Sequence, residues 1–275
     1  MSWSPGIYSL SAKYHPKYVL KLFKQYSDSF GWFKRSNMKI LDIGVGPGHV
    51  LLQVEPLFPR DYTEIIGIDK DVAMLNYLNS VTKDPRISSQ LMDIEAEKIP
   101  GNMEGRFDFA FSSYCLSHLT NIRQTFINTK KMLNRNGELF FIWCRKSQIN
   151  DIHKAMSKIA KWAPYTTDYK NWRPYFDNED PKGTLEKEVT QAGLTVLRAE
   201  LLDDIVFEDA EPQIFIDLFA AFDLVSLRIP KADLPKYKED FNKIAASFIF
   251  TDENAEIGLK AKFPFPSIVL AAKQS

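Results

Sequence analysis

The sequence predicts an α/β protein built on a doubly wound, mostly parallel sheet. Three observations carry this. Short apolar runs bounded by turn residues alternate with helix-period stretches from Met38 to Trp143, the β-α-β-α-β rhythm of a parallel sheet. The first run ends in three alternate glycines, Gly44, Gly46 and Gly48, a tight turn leading into a helix start. The chain has 275 residues, 45% of them hydrophobic, enough for one large core.

Taken in order, Lys17 to Phe30 carries an apolar stripe at helical spacing, with Pro16 placed for a first turn. This helix is expected to cover the mouth of a ligand site. Met38 to Ile43 is the first strand, and Val50 to Glu55 starts a helix that closes near Pro56 or Pro59. Thr63 to Asp69 is the second strand, and Asp71 is the N-cap of a helix over Val72 to Val81. Ile87 to Met92 and Phe107 to Ser113 are the third and fourth strands. Asn121 and Gln124 read as a capping box for the next helix, which turns Ile122, Phe126, Ile127 and Leu133 inward. Asn134 to Gly137 reads as a turn before a fifth strand, Glu138 to Trp143.

The pattern loosens after that. Asp151 to Ala160 looks helical, and Trp162 to Asp180 is irregular and aromatic. Thr184 to Ala192 is a helix ended by Gly193, and Leu194 to Leu202 is a strand. Two further helices span Pro212 to Leu227 and Lys236 to Phe250. Ile257 to Lys262 and Ser267 to Lys273 close the chain as strands. The two late helices read either as an inserted lid walling a lipophilic pocket or as ordinary core helices. The lid reading gives one domain: a helical cover over 1–36, a ligand-binding core over 37–145, and a lid with closing strands over 146–275.

Composition excludes several classes. Lys and Arg number 35, as do Asp and Glu, and no long basic run occurs, so nucleic acid is not an expected partner. Cys115 and Cys144 lie in apolar runs and read as buried, reduced thiols. The N-terminus lacks a signal pattern, and no apolar run reaches roughly 18 residues, so no membrane span is expected and a cytoplasmic location is. No two histidines have metal-ligand spacing, so no metal is expected. His49 is expected to be structural and His153 to face solvent from its helix.

The glycine turn bears on the ligand. A dinucleotide loop is spaced G-x-G-x-x-G, but Gly48 falls one residue early and Pro47 withdraws an amide N–H, so a pyrophosphate cradle is disfavoured. The pattern D-x-G-x-G-x-G over Asp42 to Gly48 instead resembles the cofactor loop of S-adenosylmethionine (SAM)-dependent methyltransferases. Gly67-Ile-Asp69, Met92-Asp-Ile-Glu95 and the terminal strands resemble the same superfamily. More specifically, Arg173-Pro-Tyr-Phe-Asp-Asn-Glu-Asp-Pro181, Gln191-Ala-Gly-Leu194 and Ile229-Pro-Lys-Ala-Asp-Leu234 resemble the insect juvenile hormone acid methyltransferases, with a similar order of elements across nearly the whole chain.

The resemblance implies a Rossmann-like fold with a seven-stranded sheet and SAM as cofactor. It also implies methyl transfer to the carboxylate of an isoprenoid acid by a cytosolic, metal-free enzyme that is often a homodimer. Asp42, Gly44, Gly46 and Gly48 then form the cofactor loop. Asp69 either accepts hydrogen bonds from ribose hydroxyls or is a helix-capping residue beside Asp71. Asp93 either meets the adenine amine, with Ile94 packing on the ring, or merely shapes a turn. Ser112 borders the cofactor at the carboxyl end of the fourth strand, where open sheets bind ligands.

The family holds the substrate carboxylate with a glutamine at the entry of the N-terminal helix and a His-Trp pair after the fourth strand. Here those places fall at His15 and at Ser117-His118. His118 and His15 are therefore the candidate catalytic residues. Each can donate a hydrogen bond to a carboxylate, which needs no base, or accept a proton from a phenol or amine. Tyr114, Trp172, Tyr175 and Phe222 are the candidate substrate wall. Three functions follow: O-methylation of a small lipophilic acid, methylation of a phenol or amine with His118 as base, and a SAM-binding relative without catalysis.

Overall fold

A computed structural model describes residues 15–27, 31, 34–144, 146, 148–166, 178–203, 206–210, 212–252, 260–264 and 266–274. The chain divides into two units, one formed by 1–143, 180–201 and 268–275, the other by 144–179 and 202–267.

The first unit contains helix α1 (His15–Tyr26), β1 (Lys39–Ile43), α2 (Leu51–Val54), β2 (Glu64–Asp69), α3 (Val72–Val81), β3 (Ile87–Leu91), β4 (Phe107–Ser113), α4 (Ile122–Met132) and β5 (Leu133–Cys144). The second unit begins with α5 (Gln148–Met156) and α6 (Ala163–Thr166). The chain then forms α7 (Pro181–Gln191) and β6 (Leu194–Leu202) in the first unit. It continues in the second unit with β7 (Val206–Ala210), α8 (Pro212–Ala221), α9 (Leu234–Ala246), β8 (Phe250–Asp252) and β9 (Lys260–Pro264), and β10 (Ser267–Gln274) completes the first.

The main sheet has seven strands in the order β3-β2-β1-β4-β5-β10-β6, the doubly wound arrangement expected. Strands β3, β2, β1, β4 and β5 pair in parallel. From β1 the chain builds outward to β2 and β3, then returns to add β4 on the other side. The order reverses between β1 and β4, and that crevice is where such sheets bind ligands.

Both faces of the sheet are covered, as parallel sheets require. Successive residues of β5 point to opposite faces. Phe140 meets Phe23 of α1 edge-on at 5.1 Å, while Phe141 stacks on Phe126 of α4 at 5.5 Å. Phe23 also meets Phe111 edge-on at 5.4 Å. These aromatic contacts fix α1 over β4 and β5, and so place its first residue, His15, near the end of β4.

Several local expectations change. Asn134 to Gly137 is not a turn ahead of the fifth strand: β5 runs unbroken from Leu133, and the pairing with β4 slips between Phe107 and Phe109. The turn residues are absorbed in a bulge, which only the long-range partner could reveal. The capping box is half formed. Asn121 accepts from Gln124 N at 3.0 Å, but the Gln124 amide reaches Asn128 and Ala96, and Asn121 N donates to Glu95. Of the strand expected over Ile257 to Lys262, residues 257–259 lie outside the described residues, and residues 260–262 begin β9, which lies with β7 and β8 in a second, three-stranded sheet. The helix expected over Pro212 to Leu227 stops at Ala221, and a separate 3-10 turn covers Val225 to Arg228.

In the second unit, His153 of α5 is buried rather than solvent-facing. Its Nε2 lies 2.9 Å from Asp223 Oδ1. The same oxygen accepts from Tyr237 OH at 3.1 Å and from Val225 N at 3.0 Å. Asp223 thus joins α5, α9 and the turn after α8 through three contacts to one carboxylate oxygen.

Candidate cofactor site at the end of the first strand

Strand β1 delivers Asp42 and then the glycine turn to the switch point. Gly44, Gly46 and Gly48 have φ of +72°, +54° and +83°, a left-handed backbone that side chains rarely adopt. Two of the three are also pressed by neighbours. A Cβ on Gly44 would collide with Cys115, and one on Gly48 with Leu78. A Cβ on Gly46 would meet nothing within 4 Å, so the middle of the turn faces open space.

The turn's amides are already engaged. Gly44 N and Val45 N donate to Ile68 O at 2.8 and 3.0 Å, and Gly48 N donates to Val45 O at 3.1 Å. Gly46 N donates to Asp69 Oδ2 at 2.9 Å, and Pro47 has no N–H. No ring of amides is left from 44 to 48 to cradle a pyrophosphate, in keeping with the glycine spacing.

Acids stand where those amides are spent. Asp69 Oδ1 accepts from Asp71 N at 2.9 Å, so Asp69 braces both the glycine turn and the start of α3. Asp71 is the N-cap, accepting from Ala73 N at 2.9 Å. Burial, with Asp71 nearby, raises the Asp69 pKa against the backbone amides that lower it. Asp42 is only 2% exposed, and among the described residues nothing donates a hydrogen bond to its carboxyl. Desolvation, and then the Asp69 charge, push its pKa well above the carboxylate range. A buried acid without a partner is costly unless a cation arrives.

The neighbouring strand ends complete the crevice. Asp69 pairs in register with Leu91, so their side chains share a face. Leu91 is 60% exposed and Val72 is 56% exposed, large apolar side chains beside a row of acids. Periodicity alone missed both; an apolar residue at a strand's carboxyl end and another just after an N-cap were the available signals. Asp93 is exposed and its Oδ1 accepts from Glu95 N at 2.9 Å, while Ile94 is buried. Ser112 is buried, and its hydroxyl donates to Ile43 O at 2.8 Å, tying β4 to β1 beneath the turn.

At the end of β4 the chain turns sharply. Tyr114 has φ +60°, one of two non-glycine residues with positive φ among those described. A 3-10 turn, Cys115–His118, follows and ends on His118. The His15 ring lies 5.1 Å from that of Tyr114, and desolvation lowers the His15 pKa to about 4, so it is neutral at physiological pH. Cys115 is half-buried rather than buried, and desolvation drives its thiol pKa upward, which keeps it unreactive. The Ser117 hydroxyl is buried without a hydrogen-bond partner.

The structure thus brings Asp42, the three glycines, Asp69, Asp93, Ser112, Tyr114, His15 and His118 into the first unit, around its switch point. Phe222 belongs to the second unit, and Trp172 and Tyr175 lie outside the described residues.

Residues 40–137 match the methyltransferase domain family, and the seven-stranded sheet has a Rossmann-like fold. Among particular proteins, the chain is similar to a juvenile hormone acid O-methyltransferase of Drosophila melanogaster, 25% identical over 154 residues, covering 55% of this chain and 52% of that protein. A probable S-adenosylmethionine-dependent methyltransferase of Saccharomyces cerevisiae is 26% identical over 156 residues, covering 56% and 50%. The chain therefore spans about half the length of the curated relatives it matches. A putative methyltransferase from Bacillus halodurans shares the fold, with a TM-score of 0.54, 15% identity, and coverage of 87% of this chain and 94% of that one. Among the described residues no helix is long and apolar enough to cross a membrane.

Proposed function

We propose that this chain catalyses methyl transfer from SAM to the carboxylate of a small lipophilic acid. The observation that carries the cofactor half is Asp42, a buried carboxyl with no donor, beside an open glycine turn. SAM supplies, when bound, a methyl group activated by a sulfonium and carried on a molecule of net positive charge. Asp42 answers that charge. Asp69 Oδ2 accepts from Gly46 N and Oδ1 from Asp71 N, and a carboxylate has further lone pairs for a ribose hydroxyl. Leu91 and Val72 offer apolar surface for a base. Asp93 keeps Oδ2 for an exocyclic amine.

For the acceptor, His15 is the informative residue. A neutral imidazole can donate one hydrogen bond to a carboxylate and orient it. A group whose pKa is about 4 is a weak base for a phenol or an ammonium. The similarity to an enzyme named for an acid O-methylation supports the same choice. His118 is the second contact to the reacting group. Tyr114 is the substrate-wall residue of the first unit. A cytoplasmic homodimer belongs to the same proposal.

The test is incubation with methyl-labelled SAM and a panel of lipophilic acids, phenols and amines. Labelled esters, formed at a rate flat from about pH 6 to 9, are expected, since a carboxylate is ionised throughout. Labelled phenols or amines, formed at a rate that rises through a histidine pKa, would assign His118 as base instead. SAM binding with no labelled product would make the chain a binding protein.

A further inference from the structure

The loop after β3 is held by a reciprocal clamp to α4. Asn128, fully buried in the middle of α4, donates its amide to Ile94 O and Ala96 O, both at 2.7 Å. Gln124, one turn earlier, donates to Asn128 Oδ1 at 3.0 Å and so orients that amide. From the other side, Glu95 accepts from Thr120 N at 2.8 Å and from Asn121 N and the Thr120 hydroxyl. Its carboxylate sits at the amino end of α4, where the helix dipole favours a negative charge.

The clamp is unusual in its target. Asn in a helix interior ordinarily faces water or bonds its own turn. Asn128 instead spends both N–H groups on a loop 32 and 34 residues away in sequence. Those two carbonyls flank Glu95 and fix the backbone on which Asp93 and Ile94 sit. The Asp93 side chain is locked from within by its bond to Glu95 N. Every bond in the set sets the position of one exposed carboxylate.

We infer that Asn128 is a positioning residue for purine recognition: through the carbonyls of Ile94 and Ala96 it holds Asp93 where its free oxygen accepts the exocyclic amine of the cofactor's adenine. This rests on the cofactor reading above. It predicts a defect in which purine the site chooses, beyond any defect in how tightly it binds.

The experiment compares binding of S-adenosylhomocysteine with its 6-oxo analogue, S-inosylhomocysteine, by calorimetry. The full chain, Asn128→Leu and Gln124→Leu are used, each checked for folding by circular dichroism. The unaltered chain should prefer the 6-amino ligand by about tenfold, the worth of one hydrogen bond to a charged group. Asn128→Leu should abolish most of that preference, and Gln124→Leu part of it. A merely structural role would weaken both ligands equally and leave the ratio intact, which overturns the inference. Should Asn128→Leu fail to fold, Gln124→Leu decides on the same ratio. Equal binding of both ligands by the unaltered chain also overturns it. Failure of the unaltered chain to bind either ligand overturns the cofactor reading itself, and the inference with it.

Discussion

Each unit of the molecule buries an aspartate, and the two are treated in opposite ways. Asp223, 6% exposed, is met by His153, Tyr237 and the Val225 amide on a single oxygen. Asp42, 2% exposed, is met by no donor among the described residues and has Asp69 as an electrostatic neighbour. A buried acid with three polar partners joins helices and is explained by the fold alone. An unpartnered one, beside a second acid and an open turn, is not explained by the fold, and a cation that is not part of the chain is the partner proposed for it. The difference separates a structural polar cluster from a ligand seat without reference to any motif.

The largest effect should come from breaking the partnered cluster. Asp223→Ala leaves His153 and Tyr237 buried without their acceptor and should cost about 3–5 kcal/mol in a denaturant melt. A loss under about 1 kcal/mol would mean that the cluster is not holding α5, α9 and the turn together.

The histidines extend the contrast. His153 is bonded to an acid, whereas His15 is packed on Tyr114 and held neutral. The folded pKa of His15, about 4, is below its unfolded value near 6.5. The unfolded state therefore binds more protons between those values, and stability is lost as pH falls from about 6.5 toward 4. His15→Gln should remove up to about 3 kcal/mol of that acid sensitivity while leaving the melt above pH 7 little changed. An identical acid limb in the variant would contradict the neutral assignment.

Two acids two positions apart should divide binding from folding. Asp69→Ala should weaken SAM by roughly 1.5–3 kcal/mol, the usual scale for losing a charged hydrogen-bond partner. Asp71→Ala should instead cost about 1 kcal/mol of stability, as N-caps do, with affinity nearly unchanged. The reverse pattern would exchange their roles.

How far the sequence carried this account depends on the range of the interaction. Helix α3 and strand β4 are bounded as expected because an N-cap, a helical period and an apolar run are local signals. The mostly parallel, doubly wound sheet followed from alternation of elements, its seven strands from the family resemblance, and the glycine turn from three alternate glycines. What the sequence hid was decided by partners far along the chain. The β5 bulge depends on β4, and the second sheet depends on strands 206–210, 250–252 and 260–264 finding one another. The burial of His153 depends on Asp223, 70 residues away. Within the site, Asp42 was legible as a motif position, but its lack of a partner was not. Leu91 and Val72 were hidden because nothing local marks an apolar residue as exposed.

The central claim is that Asp42 is a buried acid kept for the cofactor's charge, and Asp42→Asn tests it most directly when free-state stability and SAM affinity are measured on the same sample. The raised pKa means that the folded state binds its proton more tightly than the unfolded one. The stability of the unaltered chain should therefore fall as pH rises above about 4 through that raised pKa. Asp42→Asn removes the buried charge, so the free protein should melt higher at neutral pH, while SAM affinity should drop at least about tenfold. A variant that melts lower and binds SAM as tightly as the unaltered chain would make Asp42 a second Asp223, and would contradict the account.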